Sequence, residues 1–196
     1  MASWIEPGAK VLDLGCGEGD LLYYLKMHKE AIGTGIEQEE SKVSHCIERG
    51  LSVVQGDINE EILDFPDRSF DYVILSRTLQ QVYEPAKLIL SILRVGGKGI
   101  VSFPNFSHWE VRLQLLTTGH APITGQLPYQ WYDTPNIRVI TLKDFNQFSQ
   151  EVGFRILKVA AIQTNGQEKQ GEIIRWFPNL RATYGIFLIG QKVSES

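Results

Sequence analysis

The sequence predicts a doubly wound α/β fold, with a seven-stranded, mostly parallel sheet and an antiparallel hairpin at one edge. Short apolar segments alternate with segments whose apolar residues recur at helical spacing, which is typical of strands joined by crossover helices. Residues 69–76 are apolar almost throughout, as expected for a strand buried on both faces. The last two apolar segments have no helical pattern between them, so we expect them to pair antiparallel.

The first half of the chain contains four predicted strands, at residues 10–14, 31–37, 51–57 and 69–76. Leu21, Leu22 and Leu25 form one side of a helix after the first strand. We take Ser41 as the N-cap of the next helix and Gly50 as the residue that ends it.

The second half continues the alternation. Pro85 suits the first turn of a helix whose apolar face runs through residues 88–93. Thr141 is the predicted cap of a later helix, which Gly153 ends. The remaining strands are predicted at residues 97–104, 154–162 and 183–192.

Composition and charge exclude several classes of protein. We expect residues 1–196 to form one domain. The formal net charge of −4 and the pI of about 5.6 provide no general attraction to nucleic acid. The N-terminal residues do not resemble a signal peptide, and no apolar run could span a bilayer. The cysteines and histidines show no metal-ligand spacing. We therefore expect a cytoplasmic protein with no metal, nucleic-acid or membrane partner.

One stretch interrupts the alternation, at about residues 105–139. It carries Trp109, Tyr129, Trp131 and Tyr132 together with three prolines. An irregular connection of this length in a compact domain is usually functional. Two interpretations remain open, a lid over a substrate and an interface for a partner protein.

The loop after the first strand contains Gly15, Gly17 and Gly19 at every second position. Glycines at this place let a ligand approach the backbone beside a helix N-terminus. The spacing differs from the dinucleotide pattern GxGxxG, because Asp20 stands where the third glycine would be. Asp13, just before the loop, would repel a pyrophosphate and favours a ligand that carries a cationic amine.

Acidic residues also end the next two strands. Glu37 could accept hydrogen bonds from ribose hydroxyls, and we include its neighbour Gln38 in the predicted site. Asp57 could accept a hydrogen bond from an exocyclic adenine amine, and Ile58 could contact the adenine ring. The alternative for Asp57 is a simple turn residue or helix cap.

These motifs resemble the S-adenosylmethionine (SAM) site of the class I methyltransferase fold. The resemblance implies SAM or S-adenosylhomocysteine (SAH) as cofactor, with the three glycines around its methionine and ribose parts. It further implies that Asp13 steers the amino group, Glu37 holds the ribose and Asp57 the adenine edge. Ser76 and Arg77 should line the same cleft. We interpret Cys16 as a small residue tolerated near the ligand rather than as a nucleophile.

Four segments extend the resemblance to the MetW family of methionine-biosynthesis proteins. They are VLDLGCGEGDLL, GDINEEILDFPDRSFDYVILSRTLQQV, SFPNFSHW and YQWYDTPNIRVITLKDF. The last segment, residues 129–145, is the most specific, because ordinary methyltransferases do not share it. The resemblance implies a place in methionine synthesis and association with a homoserine O-acyltransferase.

Two hypotheses of function follow. The first is a SAM-binding protein that supports or regulates a homoserine O-acyltransferase; a homodimer is possible. The alternative is an active SAM-dependent methyltransferase with an unidentified small-molecule acceptor. The fourth strand ends in SRTL, unlike the [DNS]-P-P-[YF] sequence of enzymes that methylate amino groups of nucleic acids. We can name no catalytic residue, and the missing base favours the first hypothesis.

Overall fold

An eight-stranded β-sheet forms the centre of the computed structural model, which describes residues 1–164 and 171–192. The strands are β1 (Lys10–Leu14), β2 (Ile32–Glu37), β3 (Ser52–Gln55), β4 (Phe70–Ser76), β5 (Gly96–Pro104), β6 (Phe154–Gln163), β7 (Glu172–Ile173) and β8 (Tyr184–Gln191). The helices are α1 (Asp20–Lys29), α2 (Glu40–Glu48), α3 (Ile58–Asp64), α4 (Pro85–Val95), α5 (Trp109–Thr118), α6 (Leu142–Val152) and α7 (Pro178–Arg181). The strand order is β3-β2-β1-β4-β5-β8-β6-β7.

The first five strands form the parallel part of the sheet, as predicted. The chain passes from β1 to β2 and β3 on one side, then adds β4 and β5 on the other. The register pairs Leu14 with both Ile36 and Leu75, so the carboxyl ends of these strands lie side by side. In open α/β sheets, ligands bind at this edge where the strand order reverses.

The antiparallel edge follows the prediction with two corrections. β8 lies between β5 and β6 and is antiparallel to both. The two-residue strand β7 pairs with β6, so the predicted count of seven strands is one too low. The short helix α7 lies between β6 and β8, where we expected no helix. Both elements are too short to show the periodicity on which the prediction depends.

Helices cover both faces of the sheet and bury two apolar clusters. On one face, α4 and α6 pack against the sheet around Phe145. The ring centroid of Phe145 lies 5.1 Å from that of Phe103 and 4.5 Å from that of Phe187. On the other face, α1 and α2 contribute Leu25 and Cys46. Burial of each large apolar side chain contributes about 1.5–3 kcal/mol to the stability of the fold. These clusters therefore hold the strands, and with them the strand ends, in place.

Two predicted helix caps have different outcomes. Thr141 caps α6: its hydroxyl accepts from the Asp144 backbone N–H, and the Asp144 carboxylate accepts from the Thr141 N–H. The prediction for Ser41 is wrong. Helix α2 begins at Glu40 with Glu39 in the N-cap position, and the Ser41 hydroxyl, inside the first turn, donates to the Glu39 carboxylate.

The stretch 105–139 is not irregular throughout, because Trp109–Thr118 forms α5. Val111 is buried in this helix, whereas Leu113 and Leu116 are exposed. Apolar residues lie all round α5, so its sequence lacks the one-sided spacing by which an amphipathic helix is identified. The helix ends at Gly119, which adopts a left-handed conformation with φ 69°.

Candidate functional site

A cleft of about 690 Å³ lies at the carboxyl edge of the parallel strands. This volume is within the usual range of about 300–1,000 Å³ for small-molecule sites. The loops that follow β1, β2, β3 and β4 all contribute to it. Its lining residues are Gly15, Gly17, Glu37, Gln38, Lys42, Gly56, Asp57, Ile58, Asn59, Ser76, Arg77, Thr78, Gln81, Val82 and Tyr83.

The glycine loop has a left-handed backbone at three positions. The φ angles of Gly15, Gly17 and Gly19 are 73°, 57° and 75°, values that other residues rarely adopt. A Cβ at Gly17 would meet no atom within 4 Å, whereas a Cβ at Gly15 would lie 3.1 Å from the Thr78 hydroxyl oxygen. A Cβ at Gly19 would lie 2.4 Å from Leu51 Cδ1. The first two glycines therefore shape the cleft, and Gly19 serves the packing beneath it.

Glu37 connects the end of β2 to the glycine loop. Its Oε2 accepts from the Gly17 N–H at 2.9 Å. Its Oε1 accepts from the N–H groups of Gln38 and Glu39, each at 3.0 Å. A carboxylate has about four acceptor positions, so the three bonds fix this side chain and leave capacity for a donor in the cleft.

Asp57 is both a helix cap and a cleft residue. Its Oδ1 accepts from the Asn59 backbone N–H at 2.7 Å and from the Asn59 side-chain amide at 2.8 Å. This is the cap geometry that the sequence left open as an alternative. Among the described residues, the second carboxylate oxygen, Oδ2, has no hydrogen-bond partner, and it remains available at the wall of the cleft.

Asp13 lies beneath the glycine loop rather than on the surface of the cleft. Its side chain is only 2% exposed, and its Oδ1 has no hydrogen-bond partner among the described residues. Burial, reinforced by the negative charge of Glu37, raises the pKa of Asp13 to about 7. A buried carboxyl with an unused oxygen is costly unless a partner is supplied, so this position favours a cationic donor.

The end of β4 forms the floor of the cleft. Arg77 adopts a left-handed backbone with φ 58°, which is uncommon for a residue with a side chain. Its N–H donates to the Ser102 carbonyl at 2.9 Å, and its guanidinium lies 5.4 Å from the centre of the Tyr184 ring. Ser76 shares a hydrogen bond with the Ser102 hydroxyl. These contacts with β5 and β8 hold the two residues in place.

The structure brings together most of the predicted site residues. Eight of them line the cleft: Gly15, Gly17, Glu37, Gln38, Asp57, Ile58, Ser76 and Arg77. The other three, Asp13, Cys16 and Gly19, lie under the loop. Cys16 and Cys46 both point toward the Gly17 carbonyl, and burial raises the pKa of each thiol. A raised pKa disfavours the reactive thiolate.

Sequence reasoning missed seven lining residues: Lys42, Gly56, Asn59, Thr78, Gln81, Val82 and Tyr83. Most are neighbours of predicted residues in the loops after β3 and β4, so extending those two loops would have found them. Lys42 is different, because it comes from the surface of α2 and pairs with Glu39 at 2.5 Å. Its sequence context gives no sign of a site.

The segment that returns from the insertion is fastened to the loop after β4. The backbone N–H groups of Ile137 and Arg138 both donate to the Gln80 carbonyl at 3.0 Å. The Arg138 guanidinium donates to the Val82 carbonyl at 3.4 Å and to the Tyr83 carbonyl at 2.6 Å. We call residues 137–140 the strap. The strap therefore contacts the outer side of a loop whose inner side lines the cleft.

Metal ligands and membrane spans are both missing from residues 1–164 and 171–192. No group of three or more His, Cys, Asp or Glu side chains in that part of the chain could hold a metal ion. No helix in those two ranges is long and apolar enough to cross a membrane.

Comparisons with solved structures agree with the fold. A SAM-dependent methyltransferase from Thermotoga maritima, described as a possible histamine N-methyltransferase, superposes with a TM-score of 0.71 at 18% identity. The match covers 97% of this chain and 86% of that one. The [4+2]-cyclase SpnF superposes with a TM-score of 0.66 at 20% identity, and that match covers 97% of this chain and 78% of the cyclase. These likenesses establish a class I methyltransferase fold.

Sequence comparisons are more specific. A bifunctional methionine biosynthesis protein MetXA/MetW from Rhodopirellula baltica is 37% identical over 149 residues. The match covers 71% of this chain, which spans about a quarter (24%) of that relative's length. A ubiquinone biosynthesis O-methyltransferase from Pseudomonas putida is 26% identical over 175 residues, covering 83% of this chain and 74% of the relative. The family model for the methionine biosynthesis protein MetW matches residues 1–189. The chain therefore belongs to the MetW family.

Proposed function

We propose that this protein binds SAM or SAH in the cleft and, in the cytoplasm, supports or regulates a homoserine O-acyltransferase. One observation carries the cofactor assignment: the partnerless, buried carboxyl of Asp13 lies under a left-handed glycine loop. Glu37 and Asp57 present further acceptors at the neighbouring strand ends. This pattern suits a ligand that has an amine at one end and an adenosine at the other.

Each part of the cofactor has a matching group in the chain. Asp57 Oδ2 would accept from the adenine amine, with Ile58 against the ring. Glu37, fixed by three backbone bonds, would accept from the ribose hydroxyls. Gly15 and Gly17 would allow the ligand to approach the backbone, and Asp13 would neutralise the amino group. Because Glu37 and Asp57 are held by backbone N–H groups before the ligand arrives, ordering these two side chains adds little cost to binding.

When bound, SAM supplies a methyl group activated by its sulfonium centre. The chain's own contribution is to bind and orient, which is most of what such a transfer requires. An acceptor that begins protonated also needs a general base. Among the lining residues, Glu37 and Asp57 are assigned to the adenosine end, Lys42 is paired with Glu39, and the side chain of Tyr83 is mostly exposed to solvent. The described part of the cleft therefore favours cofactor binding over catalysis.

The partner assignment rests on the family and on its fused relative. The Rhodopirellula baltica protein is described as both MetXA and MetW, so one chain carries both modules there. Tethering two modules replaces encounter in solution by a high effective concentration. We infer that the present protein meets its acyltransferase as a separate chain and that SAM or SAH in the cleft affects this association.

The alternative function is methyl transfer to a small molecule. It is favoured by the completeness of the cleft and by relatives that are described as methyltransferases, such as the Pseudomonas putida protein. The fold does not decide between the two functions, since a cyclase shares it. Methyl transfer would be shown by SAH formation that depends on an added acceptor.

The test combines binding with enzyme kinetics. Calorimetry with SAH should show one site on the protein, and Asp57→Ala should weaken SAH binding by about tenfold or more. Homoserine O-acyltransferase activity should then change on addition of this protein, with a size that depends on SAM concentration. Absence of SAH and SAM binding would refute the cofactor assignment. Unchanged acyltransferase activity under all conditions would refute the accessory role.

A further inference from the structure

A second, smaller cavity of about 170 Å³ lies between the loop after β4, the strap and α6. It is lined by Leu79, Pro85, Arg138, Val139, Ile140, Asp144, Phe145 and Phe148. Its size is similar to that of an apolar protein cavity of ~150 Å³ that accommodates benzene. The cavity therefore has room for one aliphatic or aromatic side chain.

The walls of this cavity are firmly held. The strap is attached to the Gln80 carbonyl through two backbone bonds, and Arg138 is attached to the carbonyls of Val82 and Tyr83. On the opposite side, the capping box of Thr141 and Asp144 fixes the first turn of α6. A cavity with fixed walls binds a side chain without first having to form, which favours recognition.

The rim of the cavity is more apolar than an ordinary surface. Val139 is 72% exposed, and Tyr83 and Ile137 are also exposed nearby. Arg138 and Asp144 provide one charge of each sign at the edge. An apolar pocket with aromatic neighbours and a polar rim is the arrangement found at the energetic centres of protein interfaces.

A relative of this chain indicates which partner occupies the cavity. Five of the eight lining residues, Arg138, Val139, Ile140, Asp144 and Phe145, come from one short stretch of the chain. A relative in this family carries MetXA and MetW in one chain. An acyltransferase that is a separate chain needs an exposed surface on which to dock, and the apolar rim of the cavity provides one.

The position of the cavity gives a second reason. Leu79 and Pro85 face the cavity, whereas Gln81, Val82 and Tyr83, between them in the chain, line the large cleft. A partner that responds to the cleft ligand must contact an element that the ligand also biases. The loop after β4 is such an element, and α5, whose apolar side chains are also exposed, does not line the cleft.

We propose that this cavity is the docking site for an apolar side chain of the homoserine O-acyltransferase, with residues 137–140 at the centre of the interface. The insertion is then an interface rather than a lid. This proposal rests on the proposed function, because it takes the acyltransferase as the partner. It adds the surface at which the two proteins meet.

The experiment compares two exposed apolar residues. Val139→Asp places a charge at the rim of the cavity, and Leu116→Asp places one on α5, where Leu116 is 83% exposed. Both side chains face solvent, so both variants should fold, and SAH calorimetry and thermal melting provide the check. Val139→Asp should weaken acyltransferase binding, measured by biolayer interferometry, by about tenfold or more. Leu116→Asp should change it less than about twofold.

The outcomes separate the two proposals. If the unmodified protein does not bind the acyltransferase, the proposed function fails. If it binds and Val139→Asp binds equally well, the docking site is wrong while the proposed function stands. Stronger loss in Leu116→Asp would move the interface to α5 and overturn the proposal. A homodimer that dissociates in Val139→Asp, seen by analytical ultracentrifugation, would make a second copy the occupant and overturn it as well.

Discussion

The large cleft and the strap cavity lie on opposite sides of one loop but are built in different ways. The cleft is polar, and its groups come from the ends of four neighbouring parallel strands. The cavity is apolar, and its lining comes from the loop after β4, the strap and α6. The cleft is thus a consequence of the parallel sheet, whereas the cavity depends on a contact between the loop after β4 and two elements that are distant from it in sequence. A polar ligand site and an apolar surface cavity therefore share a single wall, the loop after β4.

The largest expected effect tests whether the cleft depends on core packing. Gly19→Ala should lower the free energy of unfolding by about 3–4 kcal/mol, because its Cβ would lie 2.4 Å from Leu51 Cδ1 and 2.9 Å from Cys46 Sγ. Gly17→Ala is the matched control, with no atom within 4 Å, and should cost about 1–2 kcal/mol from its left-handed backbone alone. Urea denaturation measures both. Equal losses would show that Gly19 has no packing role.

The next effect tests the chemical selectivity of the cleft. Asp13→Asn removes the buried carboxyl that we assign to the amine and should weaken SAM binding by about thirtyfold, roughly 2 kcal/mol. 5′-Methylthioadenosine lacks that amine, so its affinity should change less than about twofold. Calorimetry with both ligands separates the roles. Equal weakening of the two ligands would show that Asp13 acts through the loop and not through the amine.

The pH dependence of the cleft should be smaller and of defined sign. The pKa of Asp13 is raised to about 7 from 3.8, so between these values the folded state keeps a proton that the unfolded state has lost. The stability contributed by Asp13 therefore falls as pH rises from about 4 to 7 and is constant above. The affinity for SAM should instead increase with pH, by about fivefold from pH 6 to pH 7, as the Asp13 carboxylate forms.

Asp13→Asn is the control for this pH dependence, since it cannot titrate. The variant should lose the rise in SAM affinity between pH 6 and pH 7 and the matching fall in stability. Calorimetry and urea denaturation across this pH range measure the two curves. A variant that keeps both slopes would assign them to another group.

The smallest effect tests the loop after β4, the wall that the cleft and the cavity share. Arg138→Met removes the hydrogen bonds to the Val82 and Tyr83 carbonyls while retaining an unbranched apolar side chain. We expect a stability loss of about 1 kcal/mol or less, because water can replace these bonds, and a SAH affinity about twofold lower. Arg175→Met, at an exposed position, is the control and should change neither. A loss of SAH binding free energy that exceeds the loss of folding stability would strengthen the link between cavity and cleft.

The sequence predicted the cleft well because parallel strands end at one edge. Glu37, Asp57, Ser76 and Arg77 each follow or end a strand, so their convergence follows from the strand pattern alone. The side of the loop on which each residue lies does not follow from that pattern. In a loop with several left-handed positions, the direction of each side chain depends on φ and ψ, and the Cys16 side chain is buried beneath this loop.

The sequence predicted less of the region after β5. Helix α5 was not predicted because apolar residues lie on all its sides. Strand β7 was not predicted because a two-residue strand shows no alternation of apolar and polar residues. The cavity could not be predicted, because it forms where the strap and α6 meet Leu79 and Pro85. Leu79 and Pro85 are distant in sequence from both the strap and α6. Long-range contacts of this kind are fixed by packing and not by local pattern.

The position of β8 has a consequence for how the protein is made. β8 pairs with β5 along Lys98–Pro104, yet it is synthesised about 80 to 90 residues later. During translation, β5 is therefore an open edge that exposes Ile100, Val101 and Phe103, and such edges promote aggregation. Completion of the sheet must await the last strand. Nascent chains halted before Tyr184 should accordingly depend on chaperones, whereas chains released after Gln191 should not.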